Sequence, residues 1–199
     1  ELIKFLKEFI SELEDGDYSS EDDSASEDEL EDDVIDESIK VKRDEKGFLS
    51  LDLDEVGAIH YQIKPINKDA DIIFQPYLDS GITNKDTNWD DKFWDTLNVT
   101  HKNHQAFIQA KTMKTDFYTC TFMESKVFIN GKSVLNQPNI QAGSNHVSFT
   151  YQHHVKKGES YAIQKYGGYT VDRNHDKNEL VSVAKKVLKI ATKKGFNQL

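Results

Sequence analysis

From Phe48 to Ile163 the chain repeats one pattern: a short run of β-branched and aromatic residues, then turn residues, then another run. The runs are Phe48–Leu51, Ala58–Ile63, Asp71–Tyr77, Leu97–Val99, Gln105–Ile108, Phe117–Phe122, Lys126–Ile129, His146–Tyr151 and Ser160–Ile163. Gly47, Gly57, Asn67-Lys-Asp69 and Asp79-Ser-Gly81 punctuate them. Side chains that branch at Cβ or carry a ring fit a pleated, half-buried surface. Asn130-Gly131 is the clearest hairpin signal, because both residues tolerate the positive φ that a type I′ turn requires. Evenly spaced short strands with few helical stretches lead to a sandwich or a barrel. The expected fold is mainly β, a sandwich of antiparallel sheets.

The two ends depart from this pattern. Leu2, Leu6, Phe9 and Leu13 fall on one stripe, widened by Ile3, Phe5 and Ile10, which predicts an amphipathic helix over residues 1–16. Residues 17–38 are acidic. Sixteen acids and no Lys or Arg lie between Glu8 and Glu37, so the remaining 19 acids face all 25 basic residues and that remainder is net positive by 6. Like charges repel, and little apolar surface is present to offset ordering entropy, so a disordered, solvated segment is expected there. An acidic tail for a basic partner, or a phosphorylation site, is the functional alternative. At the other end Leu180, Val183, Ala184, Val187, Ile190 and Ala191 recur at helical spacing. Asp176 to Glu179 reads as its cap, Lys193 and Lys194 suit its last turn, and Gly195 can close it. The apolar face of this helix needs a partner, either the sandwich or something beyond the chain.

Most catalytic chemistries leave no trace. One cysteine excludes an intramolecular disulfide and fits a reducing, cytoplasmic setting; Cys120 reads as a small buried hydrophobe. No apolar run approaches membrane-spanning length, and no cleavable leader pattern is present. Among seven histidines, His153 and His154 are adjacent, so on a strand they point to opposite faces; His101 and His104 could meet only in a turn or helix. No zinc spacing appears, so no metal or other cofactor is expected. Gly167-Gly168 looks like a strand kink or bulge rather than a phosphate cradle. Lys185, Lys186, Lys189, Lys193 and Lys194 make a positive helix without aromatic platforms, a weak basis for nucleic-acid binding.

The stretch from Pro76 to Trp94 stands apart. It holds both tryptophans, Trp89 and Trp94, with Tyr77 and Phe93, among Asp79, Asn84, Asp86, Asn88, Asp90 and Asp91. Amide and carboxylate hydrogen bonding beside aromatic faces can hold a sugar; the same mixture also builds ordered loops. Asp90 and Asp91 are neighbours, whereas a glycosidase acid and base face each other across the sugar, so spacing makes neither catalytic.

This run, Pro76-Tyr-Leu-Asp-Ser-Gly-Ile-Thr-Asn-Lys-Asp-Thr-Asn-Trp-Asp-Asp-Lys-Phe-Trp94, resembles a motif of the maltose-phosphorylase-type enzymes of glycoside hydrolase family 65. Gly57-Ala-Ile-His-Tyr61 with Pro65-Ile-Asn67, Ala110-Lys-Thr-Met-Lys-Thr115, His153 to Glu159, Lys165-Tyr-Gly-Gly-Tyr-Thr170 and Arg173-Asn-His-Asp176 are similar to further motifs of that family, in order. The resemblance implies an N-terminal super-β-sandwich over 39–171 and a linker helix over 172–199 leading to an (α/α)6 catalytic barrel. It implies inverting phosphorolysis of a maltose-type disaccharide in the parent enzyme, with the general acid and the phosphate site in the barrel. This segment is then expected to be a non-catalytic fragment, inactive alone, that scaffolds the barrel and contributes to a homodimer. Asn84, Asp86, Asn88, Trp89, Asp90, Asp91 and Trp94 are the candidates for a loop rimming the active site. A stand-alone carbohydrate-binding sandwich and an acidic interaction protein are the alternatives. The first reading predicts an exposed apolar face on the 180–191 helix, and the second predicts tryptophan rings in an open groove.

Overall fold

A computed structural model describes residues 38–83 and 92–199, which belong to one compact unit, Ser38–Leu199. The expected N-terminal helix, the acidic segment up to residue 37 and residues 84–91 lie outside the described residues. The described residues form eleven strands: β1 (Val41–Leu49), β2 (Val56–Pro65), β3 (Ala70–Phe74), β4 (Tyr77–Asp79), β5 (Trp94–Lys102), β6 (Gln105–Thr112), β7 (Tyr118–Ile129), β8 (Lys132–Val134), β9 (Asn139–Ala142), β10 (His146–Val155) and β11 (Tyr161–Val171). They also form a helix, α1 (Leu180–Lys194), and a 3-10 turn, Phe196–Gln198.

All the pairings are antiparallel. The larger sheet runs β1-β2-β11-β7-β6-β5, with β8 beside β7; the smaller runs β3-β10-β4, with β9 on β10. The two sheets face each other across a core of Phe74, Leu78, Phe149, Tyr151, Tyr161 and Ile163. Strand alternation gives the larger sheet a second apolar face. On β7, Met123 and Val127 point into the sandwich, while Cys120 and Phe122 point out toward α1. Leu180, Ala184, Val187, Leu188 and Ala191 of α1 are buried there. Burying each leucine is worth about 2 kcal/mol, so this contact holds the helix to the sheet.

Several expectations change in detail. The runs 117–122 and 126–129 form a single strand, β7, since Met123 is as buried as its neighbours. The run Asp71–Tyr77 breaks at Gln75-Pro76, because proline has no N–H for the ladder. Even so, Phe74 opposes Tyr151, Tyr77 opposes Ser148, and the Pro76 carbonyl accepts from Phe149 N at 3.0 Å, so β3 and β4 are one interrupted strand. The first strand starts earlier than the apolar run suggests, in charged residues, and ends at Leu49; Leu51 lies in the turn, fully exposed. Asn130 and Gly131 both take positive φ, 49° and 75°, and join Ile129 to Lys132 as a two-residue hairpin.

Gly167-Gly168 is not a bulge. β11 keeps an unbroken register through both residues, against β2 on one side and β7 on the other. The irregularity lies instead in β5, between Thr96 and Asn98. Asp176 does not cap α1 with its side chain; its carboxylate accepts from Asn178 N at 2.8 Å in a turn before the helix, and Glu179 occupies the cap without a side-chain bond. Gly195, at φ 79°, ends α1 by donating to the Ala191 carbonyl at 3.0 Å. Beyond it Phe196 packs edge-on against Phe48, with ring centroids 5.0 Å apart, and Ser50 Oγ donates to the Leu199 carbonyl at 3.1 Å.

Candidate functional site

The stretch singled out in the sequence crosses from the smaller sheet to the larger. Its first half is β4, whose Leu78 is buried in the core while Tyr77 and Asp79 face outward. Two hydroxyl and amide contacts then fix the exit. Ser80 N donates to the Asn145 carbonyl at 2.9 Å, and Ser80 Oγ shares a hydrogen bond with Thr96 Oγ1 at 2.7 Å, tying β4 to β5. Asp79 Oδ1 accepts from Gly81 N at 2.7 Å. A Cβ on residue 81 would stand 2.2 Å from Asn145 Nδ2, so any larger residue there would have to push the Asn145 side chain aside.

Thr83 and Lys92 then form an antiparallel bridge across the base of residues 84–91. On the far side the Phe93 carbonyl accepts from Met113 N at 2.9 Å, and Trp94 begins β5 opposite Thr112. The ends of the loop are thus held at one end of the sandwich. Around that base Ile82, Leu97 and Met113 are each about half exposed, at 53, 50 and 53%, and Phe93 is 39% exposed. Isolated exposed apolar residues are ordinary; four around one loop base make a surface suited to contact with something apolar.

Of the candidate rim residues, only Trp94 lies within the described residues. It is half-buried, and its ring leans on Phe117 with centroids 6.3 Å apart, so part of its face is already used in packing. Asn84, Asp86, Asn88, Trp89, Asp90 and Asp91 fall outside the described residues. Sequence reasoning missed Ser80, Thr96 and Asn145, which set where the loop begins. Gly81 was the signal available, read as a turn residue and not as a close approach.

Polar groups elsewhere are engaged in holding the fold. His153 packs on Tyr161, with ring centroids 5.2 Å apart, and lies 3.5 Å from Glu159; His154, on the opposite face of β10, meets Asp71 at 3.0 Å. His104 Nδ1 and Ser125 Oγ both reach the Tyr151 hydroxyl, at 3.1 and 3.0 Å, inside the sandwich. Burial pushes the Tyr151 hydroxyl up to about 12, so it acts there as a neutral hydrogen-bonding group. The Cys120 thiol is likewise pushed up to about 12 by burial. Among the described residues, no three His, Cys, Asp or Glu side chains gather where one metal ion could bind them.

The apolar face of α1 does not remain open as the parent-enzyme reading predicted. It is buried on the larger sheet, and Ile190 is the exposed large hydrophobic residue of the helix, at 46%. The outward face carries Lys186, Lys189, Lys193 and Lys194 around Ile190.

Comparison with known proteins agrees with this architecture. The chain is 27% identical over 163 residues to maltose phosphorylase of Bacillus subtilis (strain 168), covering 82% of this chain and 21% of that protein. It is 22% identical over 169 residues to α,α-trehalose phosphorylase of Thermoanaerobacter brockii, again covering 81% of this chain and 21% of the relative. The chain therefore spans about one fifth of the length of these curated relatives. The solved structure "Putative kojibiose phosphorylase from human microbiome" superposes with a TM-score of 0.68 over 82% of this chain and 20% of that one, at 19% identity, which establishes a shared fold. Residues 33–199 match the family described as glycosyl hydrolase family 65, N-terminal domain, and this chain belongs to that family.

Proposed function

We propose that this domain is the non-catalytic N-terminal sandwich of a disaccharide phosphorylase, with maltose as the substrate of the parent enzyme. In this reading residues 39–171 are the scaffold, residues 172–199 lead toward an (α/α)6 barrel, and the loop between Thr83 and Lys92 reaches the rim of its active site. Residues 1–16 and 17–38 stand before the scaffold as a helix and an acidic segment. The observation that carries the proposal is coverage: relatives named as phosphorylases match this chain along about one fifth of their length, leaving most of each to carry other domains. Two features of the molecule support it. The loop base is pinned at one end of the sandwich by the Ser80–Thr96 contact and the Thr83–Lys92 bridge, with half-exposed apolar residues around it. The Tyr151 hydroxyl and the Cys120 thiol are buried, and burial raises both to about 12, which keeps them neutral.

The test uses the purified chain, checked for folding by circular dichroism, with maltose and phosphate. The expected result is no glucose 1-phosphate and no heat of maltose binding by calorimetry. Release of glucose 1-phosphate by the chain alone would overturn the non-catalytic reading. Maltose binding without turnover would favour the stand-alone carbohydrate-binding sandwich instead. A second arm replaces the matching segment of the Bacillus subtilis enzyme with residues 38–199. Phosphorolysis should persist in the hybrid, and replacing residues 84–91 with a Gly-Ser linker should then lower kcat/KM; an unchanged value would remove the rim assignment.

A further inference from the structure

Asn130 does more than turn the β7–β8 hairpin. Both ends of its carboxamide are bonded to the residues that lead into β11: Oδ1 accepts from Ser160 N at 2.9 Å, and Nδ2 donates to Glu159 Oε1 at 3.4 Å. Asn130 N donates in turn to the Ser160 carbonyl at 2.9 Å. Backbone and side chain together thus clamp the hairpin to the start of β11. The same side chain stands beside a peptide nitrogen that is open to approach. Asn130 is the only asparagine of the sequence followed by glycine. Both residues are exposed, and a Cβ on Gly131 would meet nothing within 4 Å, so no neighbouring atoms crowd that position.

We propose that Asn130 is a self-modification site, a deamidation centre held in check by its clamp on Ser160 and Glu159. The chemistry needs only water. The Gly131 amide nitrogen, its proton taken by solvent base, attacks Cγ of Asn130, and proximity within one chain replaces a bimolecular encounter. A bond forms between that nitrogen and Cγ, the Cγ–Nδ2 bond breaks, and Nδ2 leaves as ammonia with a proton from water. The product is a cyclic imide. Water then opens the imide at either carbonyl. One route gives aspartate; the other gives isoaspartate, in which the backbone runs through the side chain and is a methylene longer. The clamp opposes the first step, because Cγ has to swing onto the next residue's nitrogen and leave Ser160 N and Glu159. Reaction therefore proceeds from an opened hairpin, and its rate is the intrinsic rate scaled by the fraction of time the clamp is open. Either product then prevents the clamp from closing again. It puts a carboxylate where Nδ2 faced the Glu159 carboxylate, so attraction turns to repulsion. Isoaspartate also lengthens a turn whose two residues join Ile129 to Lys132, which loosens the pairing of β8 with β7.

The site is a property of this domain and stands or falls apart from the phosphorylase reading. The test ages the full chain at mildly alkaline pH, folded and in denaturant side by side, and follows it by peptide mapping and by enzymatic methylation of isoaspartate. Conversion should appear at Asn130 ahead of every other asparagine. In the folded chain it should run slower than in denaturant by on the order of tenfold or more. That factor should match the protection of the Ser160 amide against hydrogen exchange, since the acceptor of this amide is the Asn130 carboxamide itself. Glu159→Ala should speed conversion in the folded chain and leave it unchanged in denaturant. Gly131→Ala should suppress it in denaturant, where folding of the variant is not at issue. Three results would overturn the proposal. The first is earlier conversion at another asparagine. The second is conversion as fast in the folded chain as in denaturant, which would show that the clamp does not hold the carboxamide back. The third is a factor matching the protection of the central β7 amides, which would place the reaction in global unfolding and not in the hairpin. None of the three needs a variant to fold.

Discussion

The Glu55 carbonyl oxygen occupies the space that a side chain on Gly168 would need: a Cβ at residue 168 would stand 1.9 Å from it, with the Glu55 carbonyl carbon at 2.9 Å and Val56 Cα at 3.0 Å. The obstacle is the Glu55–Val56 backbone, and it is fixed. Tyr169 N donates to that same oxygen at 3.2 Å, and His175 Nε2 bonds the Glu55 carboxylate. Gly168→Ala should therefore force β2 and β11 apart and cost at least about 2–3 kcal/mol. Gly167→Ala, whose Cβ would make an ordinary 3.5 Å contact with the Phe122 carbonyl, should cost less than about 1 kcal/mol. Thermal midpoints of the two variants, measured side by side, check this; equal shifts would show that the backbone can give way at residue 168.

Helix α1 offers a second contrast, between its two faces. Leu188 is fully buried on the larger sheet, and Ile190 is 46% exposed two residues later. Leu188→Ala should destabilise the domain by about 2–5 kcal/mol through lost burial and the cavity left behind. Ile190→Ala should stay within about 0.5 kcal/mol. Urea unfolding of both variants is the measurement. A small effect of Leu188→Ala would mean that the helix is an appendage and not part of the domain's cooperative core.

How legible each feature was depended on whether its cause is local. The Asn130-Gly131 hairpin was readable because two adjacent residues alone satisfy the type I′ geometry. Gly195 was readable as a helix end for the same reason. The role of Gly168 was not, since its cause is Glu55, more than a hundred residues earlier. The charged strand β1 was hidden because it is an edge, where Lys42, Arg43, Glu45 and Lys46 face solvent and apolar alternation weakens. The burial of α1 was left open because its partner is the second face of the larger sheet. That face shows in β7 only as an apolar run that alternates between two cores. The loop motif was legible by resemblance, yet the contacts that hold its base, Ser80 with Thr96 and Asn145, join residues far apart in sequence and ordinary in kind.

Cys120 should be inert in the folded chain. The thiolate is the reactive form, and burial under α1 pushes this thiol up to about 12. At about pH 8 a disulfide reagent should label the native protein no faster than it unfolds, and label it fully in denaturant. Prompt labelling without denaturant would show that α1 lifts from the sheet on the timescale of the reaction. In Leu188→Ala, labelling should accelerate, linking the two measurements through one interface.

His154 provides the pH dependence that is easiest to sign. It sits on the outer face of β10, and its value is raised first by the hydrogen bond to Asp71, then by that carboxylate's charge, with Asp69 adding to both effects. A histidine whose folded value lies above its unfolded value binds its proton more tightly when folded. Its contribution to stability is therefore complete below the unfolded value, near 6.5, and disappears as pH rises through the folded one. His154→Gln should lower the midpoint of unfolding at about pH 5.5 and leave it unchanged at about pH 9. Because the ring is exposed, the difference should shrink in high salt. A proton NMR titration gives the direct check: the His154 ring should titrate above the ordinary histidine value and fall back toward it in Asp71→Asn. If it titrates at the ordinary value in the parent chain, the Asp71 pairing does not persist in solution, and β3 and β10 are held together by their ladder and core contacts alone.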